Sequence, residues 1–369
     1  MNVPFFDLTR QYNNIKEEID QSIQEVVDTQ QFILGSVVEE FEEKAAKYCG
    51  SKHAVGVASG TDALLLAVRA HNITGDVLTS PFTFFATAGA IHNARASPKF
   101  ADIDPDSYNL SIAQLEKTIP TLADDLQALM PVHLFGQAAD MDPLMELADE
   151  NDLAVIEDAA QAIGAEYKGK KIGSISTTCF SFFPTKNLGG FGDGGLITTN
   201  NEEIAETLKT IRVHGSKPRY FHHVIGYNSR LDALQAAVLN VKLKYLDQWI
   251  ENRIENVKIY NKALNNLDGV EIPLESDYAK HSYNQYTIRV TDGRRDDLQQ
   301  FLSDRGIGSS IYYPLCLHMQ PCFKPLGYKE GDFKVSELAS EEVLSLPIFP
   351  ELTVEEIEYV IDAVEEFYS

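Results

Sequence analysis

The chain has 369 residues, 44% of them apolar, and a formal net charge of −24. That length suits a large domain with a smaller companion, and the apolar share supplies packed cores rather than disorder. The acidity argues against nucleic acid or an anionic membrane surface as a partner, because both would be repelled.

A phosphorylated small molecule stays open, since backbone N–H groups and one or two cations can hold a phosphate inside an acidic protein. No apolar run approaches the roughly 20 residues needed to span a bilayer. The start, Met1-Asn-Val-Pro-Phe-Phe-Asp7, lacks the basic and apolar stretches of a secretory leader, so a cytoplasmic protein is expected. Cys49, Cys179, Cys316 and Cys322 stand apart with no Cys-x-x-Cys pair, and no His-x-x-x-His pattern occurs. No metal site is expected, and the cysteines read as reduced, mostly buried thiols. The adjacent His222 and His223 read as polar loop residues.

Between residues 54 and 200, short apolar strands alternate with helical stretches. Strands are expected at Ala54–Ala58, Val77–Ser80, Lys99–Ile103, Leu129–His133, Ala154–Glu157, Cys179–Phe183 and Gly195–Thr199. Helical patterns such as Asp62–Ala70 and Pro143–Glu150 lie between them. The alternation predicts an α/β domain, a mainly parallel sheet covered by helices on both faces, with function at the carboxyl ends of strands. From Leu231 to about Tyr260 the pattern is helical, with Leu231, Leu234, Val238, Val241, Tyr245 and Trp249 on one apolar face. A boundary near Trp249 gives a large domain over 1–249, including an N-terminal helical arm, and a small α+β domain over 250–369. In the small domain, strands are expected at Gln285–Val290 and Ser309–Tyr313, separated by a helix from about Arg295 that Gly306 closes. The last helix opens at Thr353 with Glu356 completing a capping box, and buries Ile357, Val360, Ile361 and Val364.

Chemistry concentrates at the strand ends. In Ser181-Phe-Phe-Pro-Thr-Lys186-Asn-Leu-Gly-Gly-Phe-Gly-Asp-Gly-Gly195, a lysine follows a strand and a dense run of glycines follows the lysine. Glycines let backbone pass close to a ligand, and a desolvated lysine there can form a Schiff base with an aldehyde. Alone, the stretch fits a surface lysine before a flexible turn equally well. Asp158 ends a buried strand, where it can pair with a protonated pyridine nitrogen or simply cap the next helix. Gln161 could then bond a ring hydroxyl. Ser59-Gly60-Thr61 opens a helix whose first N–H groups suit a phosphate, although strand–Gly–helix turns are common. Phe84, within Thr83-Phe-Phe-Ala-Thr87, offers an aromatic face for a flat ring, or ordinary core packing.

The order of these features resembles fold-type I pyridoxal-phosphate enzymes, and more narrowly the DegT-type nucleotide-sugar aminotransferases. The likeness runs from Phe6-Asp-Leu…Gln11-Tyr12 through Phe32-Ile-Leu-Gly35, Ser59-Gly-Thr-Asp-Ala63 and Glu157-Asp-Ala-Ala-Gln161. It continues in Arg212-Val-His-Gly215, Gly226-Tyr-Asn-Ser-Arg-Leu-Asp232 and Gln285-Tyr-Thr-Ile288. The resemblance implies an aspartate-aminotransferase-like large domain with a seven-stranded sheet, and pyridoxal 5'-phosphate as cofactor. It implies that Lys186 bonds the cofactor and shuttles the proton, that Asp158 meets the pyridine nitrogen, and that Gln161 lies beside the ring oxygen. Phe84 would stack on the ring, and Gly60, Thr61 and Ser181 would hold the phosphate. Asn228 would reach the phosphate from a neighbouring subunit and Arg230 would face the sugar, making a homodimer with shared sites. L-glutamate would donate the amine and a nucleotide-linked keto-sugar would accept it.

Lys186 argues for transamination, because a related branch of sugar dehydratases carries histidine there. The segment Asn187-Leu-Gly-Gly-Phe-Gly-Asp193-Gly-Gly resembles the 3-keto-sugar branch, whereas 4-keto-sugar enzymes more often carry glutamate before the last two glycines. Many relatives have His-Tyr-Pro where this chain has Tyr312-Tyr313-Pro314, which weakens any inference of sugar identity from them. Tyr313 and His318 are substrate-pocket candidates, with loop packing as the alternative. Two rivals are sulfur removal from cysteine, for which no cysteine lies in a matching motif, and a non-catalytic regulator, which would be expected to lack the lysine.

Overall fold

The structure of the protein is a computed structural model that describes residues 1–122 and 125–369. Its strands are β1 (His53–Val57), β2 (Asp76–Thr79), β3 (Ser97–Phe100), β4 (Leu126–Met130), β5 (Ala154–Asp158), β6 (Glu166–Tyr167) and β7 (Lys170–Lys171). They continue with β8 (Thr177–Ser181), β9 (Gly195–Thr199), β10 (Val270–Glu271), β11 (Ala279–Lys280), β12 (Tyr286–Val290) and β13 (Val343–Leu346). Seven of them form one sheet in the order β1-β9-β8-β5-β4-β2-β3, with only β9 antiparallel to its neighbours. The α/β architecture with a mostly parallel large sheet is thus as expected.

Both faces of that sheet are covered, and side-chain alternation sorts the residues between them. Leu78, Leu129, Val155, Phe180 and Leu196 pack on one face with Phe41, Leu144 and Leu231. Val77, Met130, Ile156, Cys179 and Ile197 pack on the other with Leu64, Val68 and Ile91. Near β1, the buried Arg212 guanidinium pairs with Glu42 and donates to the Gly56 carbonyl at 2.8 Å, while Glu42 accepts the Gly56 N–H at 2.7 Å. That closes a buried ion pair on backbone groups, the condition under which such pairs are tolerated.

A second core surrounds the sheet β10-β12-β13 and includes Tyr260, Ile288, Leu298, Leu344 and Val364. The N-terminal Val3 belongs to it, bridged to Ile307. The last helix, Val354–Tyr368, begins with the expected capping box at Thr353 and Glu356, and buries Ile357, Val360, Ile361 and Val364. A third, small sheet joins β11 to the hairpin β6–β7.

Some expectations need correction. The helical pattern from Leu231 forms two helices, Ala233–Lys242 and Leu246–Leu264. At the break, the Lys244 and Tyr245 N–H groups bond three residues back, to Val241 and Lys242. The physical reason is a change of partner, since Leu239 serves the large-sheet core and Val257 and Tyr260 serve the second core. Ser309–Tyr313 forms no strand; Ser310 makes an isolated bridge to Ser345, and Pro314, which lacks an N–H, follows directly. β13 supplies the strand that pairs with β12 instead. β4 starts three residues earlier than expected and ends at Met130, before Pro131.

Candidate active site

The carboxyl ends of β1 and β8 bring Gly60 against Ser181, and the end of β5 carries Asp158, whose charge acts on Lys186. β1 leads into the helix Gly60–Ala70, where Ser59 caps the start by accepting the Asp62 N–H at 3.1 Å. Among the described residues the N–H groups of Gly60 and Thr61 have no acceptor. This helix start lies hard against the end of β8: a Cβ on residue 60 would sit 2.6 Å from the Ser181 Cβ. Gly195 repeats the constraint, since a Cβ there would sit 2.3 Å from the Ser59 carbonyl oxygen. Only glycine lets backbone approach so closely. The result is a small anion cradle with two free N–H groups, the Ser181 hydroxyl and the exposed Thr61 at a helix's positive end.

Asp158 ends β5 with 4% exposure. Its Oδ2 accepts from Thr87 Oγ1 at 2.7 Å and its Oδ1 from the Ala160 N–H at 3.1 Å. Burial pushes its carboxyl above the ordinary range, against the pull of those two bonds and of Lys186. Lys186 follows β8 in a turn, its N–H donating to the Phe183 carbonyl at 2.9 Å. Among the described residues its Nζ has no hydrogen-bond partner and no ion pair. Burial pulls this amine down to about 8, and the Asp158 charge pulls the other way.

Gln161 is fixed at both ends, its Oε1 accepting the Phe135 N–H at 2.6 Å and its Nε2 donating to the Tyr313 hydroxyl at 3.0 Å. Tyr313 sits in an aromatic cluster with Phe82, Tyr312 and Phe84. Burial, with Asp158 and Tyr312 adding to it, raises its phenol. Phe84 remains 57% exposed, its free face available to a ring. Asn228 is exposed and Arg230 partly so, with no side-chain partner for either among the described residues. His318 is enclosed, edge-on to Phe333 at 4.8 Å, with Nε2 3.0 Å from Glu337. A cavity of about 440 Å³ lies elsewhere, beside Ser22, Val26, Ser36 and Asn240, and shares none of these residues.

Residues 13–365 match the model of the DegT/DnrJ/EryC1/StrS aminotransferase family. The chain belongs to this family. It is 41% identical, over 99% of its length and 96% of the relative's, to dTDP-3-amino-3,4,6-trideoxy-alpha-D-glucose transaminase of Streptomyces venezuelae. It is 49% identical, over 100% of its length and 99% of the relative's, to a "Pleiotropic regulatory protein" of Geobacillus stearothermophilus. NtdA of Bacillus subtilis with bound cofactor PMP superimposes with a TM-score of 0.91 at 29% identity, covering 99% of this chain and 85% of that one.

The DegT-family aminotransferase therefore uses pyridoxal phosphate, and its residues fit that group. The cradle of Gly60, Thr61 and Ser181 has unused donors for a phosphate, Asp158 is a buried carboxylate with no bonded cation among the described residues, and Lys186 offers an unbonded amine. Among the described residues no group of His, Cys, Asp and Glu could hold a metal ion. No helix there is long and apolar enough to cross a membrane. Cys49, Cys179 and Cys316 are buried free thiols and Cys322 is exposed, while His222 and His223 lie on an exposed loop.

Pattern reading missed Thr87. It lies 71 positions before Asp158 in sequence, and its one local signal is a polar residue on the otherwise apolar buried face of the helix Ala86–Asn93. Thr87→Val, which keeps shape and removes the donor, is expected to weaken cofactor binding by about tenfold, since a hydrogen bond to a charged group contributes about 1.5–3 kcal/mol. Titration of the apo-protein with pyridoxal phosphate measures this; unchanged affinity would show that the bond is incidental.

Proposed function

We propose that this aminotransferase moves an amino group from L-glutamate to a nucleotide-linked keto-sugar, at a carbonyl on the sugar's third carbon. The observation that carries the reading is the Lys186 amine, unbonded and held near 8, beside the buried Asp158 carboxylate and the open helix start at Gly60.

When bound, pyridoxal phosphate supplies an aldehyde that exchanges one amine for another and a ring that draws electrons from the reacting carbon. The chain's residues do the rest. Gly60, Thr61 and Ser181 would hold the phosphate by the free N–H groups and the hydroxyl. Asp158, oriented by Thr87 and Ala160, would face the ring nitrogen and favour its protonated form. Gln161 would bond the ring oxygen, and Phe84 would cover the ring face. Lys186 Nζ, held near 8 by burial, would be the amine that joins the cofactor's aldehyde with loss of water, and the base that takes and returns the proton of the substrate carbon. Arg230 and Tyr313 would face the substrate; His318, the third candidate, is enclosed against Phe333 and Glu337, the contacts of loop packing.

We further place the protein in a homodimer in which Asn228 and Arg230 complete the partner's site. Supporting this, unpaired Asn228 is flanked by exposed apolar side chains, among them Tyr220 at 76%, Phe221 at 65% and Ile225 at 90%. Apolar groups concentrated in this way mark an interaction surface. A large unit over 1–249 and a small one over 250–369, and a cytoplasmic location, belong to the same proposal; the helix Leu246–Leu264 runs unbroken across the division.

For the 3-keto assignment, the support is the Asp193-Gly-Gly segment, together with the 3-amino sugar named for the Streptomyces relative. Turnover of a dTDP-3-keto-6-deoxyhexose against a 4-keto hexose, with formation of 2-oxoglutarate from glutamate, tests donor and acceptor together. Preference for the 3-keto sugar is expected; exclusive use of the 4-keto sugar overturns the position, and no 2-oxoglutarate overturns the donor. A regulatory reading has the name of the Geobacillus relative in its favour, and the absence of any turnover with either sugar would bring it forward.

A further inference from the structure

The strand that ends in Asp158 carries a second buried acid. Val155 faces one core of the large sheet and Ile156 the other, so alternation puts Glu157 on the face opposite Asp158. Glu157 has 0% exposure. Its Oε1 accepts from the Ser176 N–H at 3.0 Å, Ser176 Oγ at 2.8 Å and Thr178 Oγ1 at 2.9 Å. Its Oε2 meets His133 Nε2 at 2.8 Å.

The other ring nitrogen, His133 Nδ1, accepts the Ala139 N–H at 3.0 Å. With Nδ1 accepting, Nε2 carries the ring hydrogen that is donated to Glu157. His133 also reaches the acid on the far face through its main chain, its N–H donating to the Asp158 carbonyl at 3.0 Å. The Asp158 N–H in turn donates to the Pro131 carbonyl at 2.8 Å. One residue thus grips two consecutive acids, the side chain of one and the main chain of the next.

Burial favours the protonated form of Glu157, but the bonds from His133, Ser176 and Thr178 outweigh it and hold the carboxyl below its ordinary range. An anion in a dry core is an expensive way to fill space, because an apolar side chain of like volume avoids the desolvation. What the charge adds is stiffness: four bonds converge on one carboxylate at the root of Asp158.

We propose that Glu157 and His133 are positioning residues for amino transfer, clamping the end of β5 so that the Asp158 carboxylate is held fixed for the cofactor's ring nitrogen. This rests on the role given to Asp158 above. The acids themselves take no part in bond making.

Two full-length variants test it, with D158N as the control. E157Q keeps an oxygen for Ser176 and Thr178 but sets an amide N–H against the His133 Nε2–H. H133F keeps a ring in the space and removes both ring bonds. The readouts are the dissociation constant of pyridoxal phosphate from the apo-protein, kcat and KM for glutamate, and the melting temperature. Loss of positioning is expected to raise the dissociation constant and lower kcat by roughly tenfold each, with KM for glutamate within about twofold. A variant that only melts earlier, with wild-type cofactor affinity and kcat below its melting range, overturns the proposal. E157Q, being isosteric, decides the matter should H133F fail to fold. If D158N loses affinity and turnover while E157Q keeps both, the clamp alone is wrong. If D158N itself is unimpaired, the role of Asp158 falls and the clamp with it.

Discussion

Lys186→Ala is expected to reduce transamination by at least about 10³-fold, because on the proposed roles it removes both the covalent partner of the cofactor and the proton carrier. The readout is 2-oxoglutarate formed from glutamate in the presence of a keto-sugar. Pyridoxal phosphate should still bind through the Gly60–Thr61–Ser181 cradle, but without the absorbance band of a lysine-linked aldehyde. Turnover at wild-type speed would end the assignment of Lys186. The same variant carries a pH signature in the apo-protein. Burial lowers the wild-type amine from 10.5 to about 8, so the unfolded chain binds more protons between those values. Stability of the wild type therefore rises with pH across that window, while below it the folded state carries the full cost of a buried charge. The alanine variant has no such group, and its advantage over wild type should shrink from about pH 8 to pH 10.5. Parallel urea midpoints across that range would contradict the burial of this amine.

Asp158→Asn is expected to lower kcat by about 10²–10³-fold, the usual effect of removing one preorganised electrostatic partner from a water-poor site. The carboxamide keeps shape and can still accept from Thr87 or Ala160, so the loss reports charge rather than packing. In the apo-protein the same change acts in the opposite sense. Burial raises the Asp158 carboxyl above its ordinary 3.8, so the wild type gains stability as pH falls and loses it as pH rises through the folded-state value. The asparagine variant escapes that loss and should be at least as stable as wild type at neutral pH. Denaturant midpoints at pH 7 and near pH 3 measure the difference, which should vanish at the acid end. A variant that is both fully active and less stable would remove Asp158 from the electrostatic role.

The residues legible in sequence were those whose chemistry shows locally. Lys186 stands between a strand and a glycine run, Asp158 closes an apolar strand, and Ser59-Gly60-Thr61 opens a helix with its own cap. Each is a feature of a few adjacent residues, where backbone propensity and side-chain type coincide. Thr87 and His133 lack that signature. Their meaning comes from acids 71 and 24 positions away, which no periodicity encodes. The helical run after Leu231 likewise hid a break, because an apolar face continues through Tyr245 while the core it serves changes.

What the sequence alone determined was the alternation of strands and helices, the caps, and the chain order of cradle, carboxylate and lysine, all consequences of short-range sterics and polarity. The tertiary structure alone decided that β9 runs antiparallel between β1 and β8, that β13 rather than Ser309–Tyr313 forms a strand, paired with β12, and that residue 60 must be glycine to touch Ser181 and residue 195 glycine to pass the Ser59 carbonyl. It also decided the titration of Lys186. The physical reason is that strand pairing, close packing and desolvation depend on which distant segments meet, and those meetings are made only when the whole sheet closes.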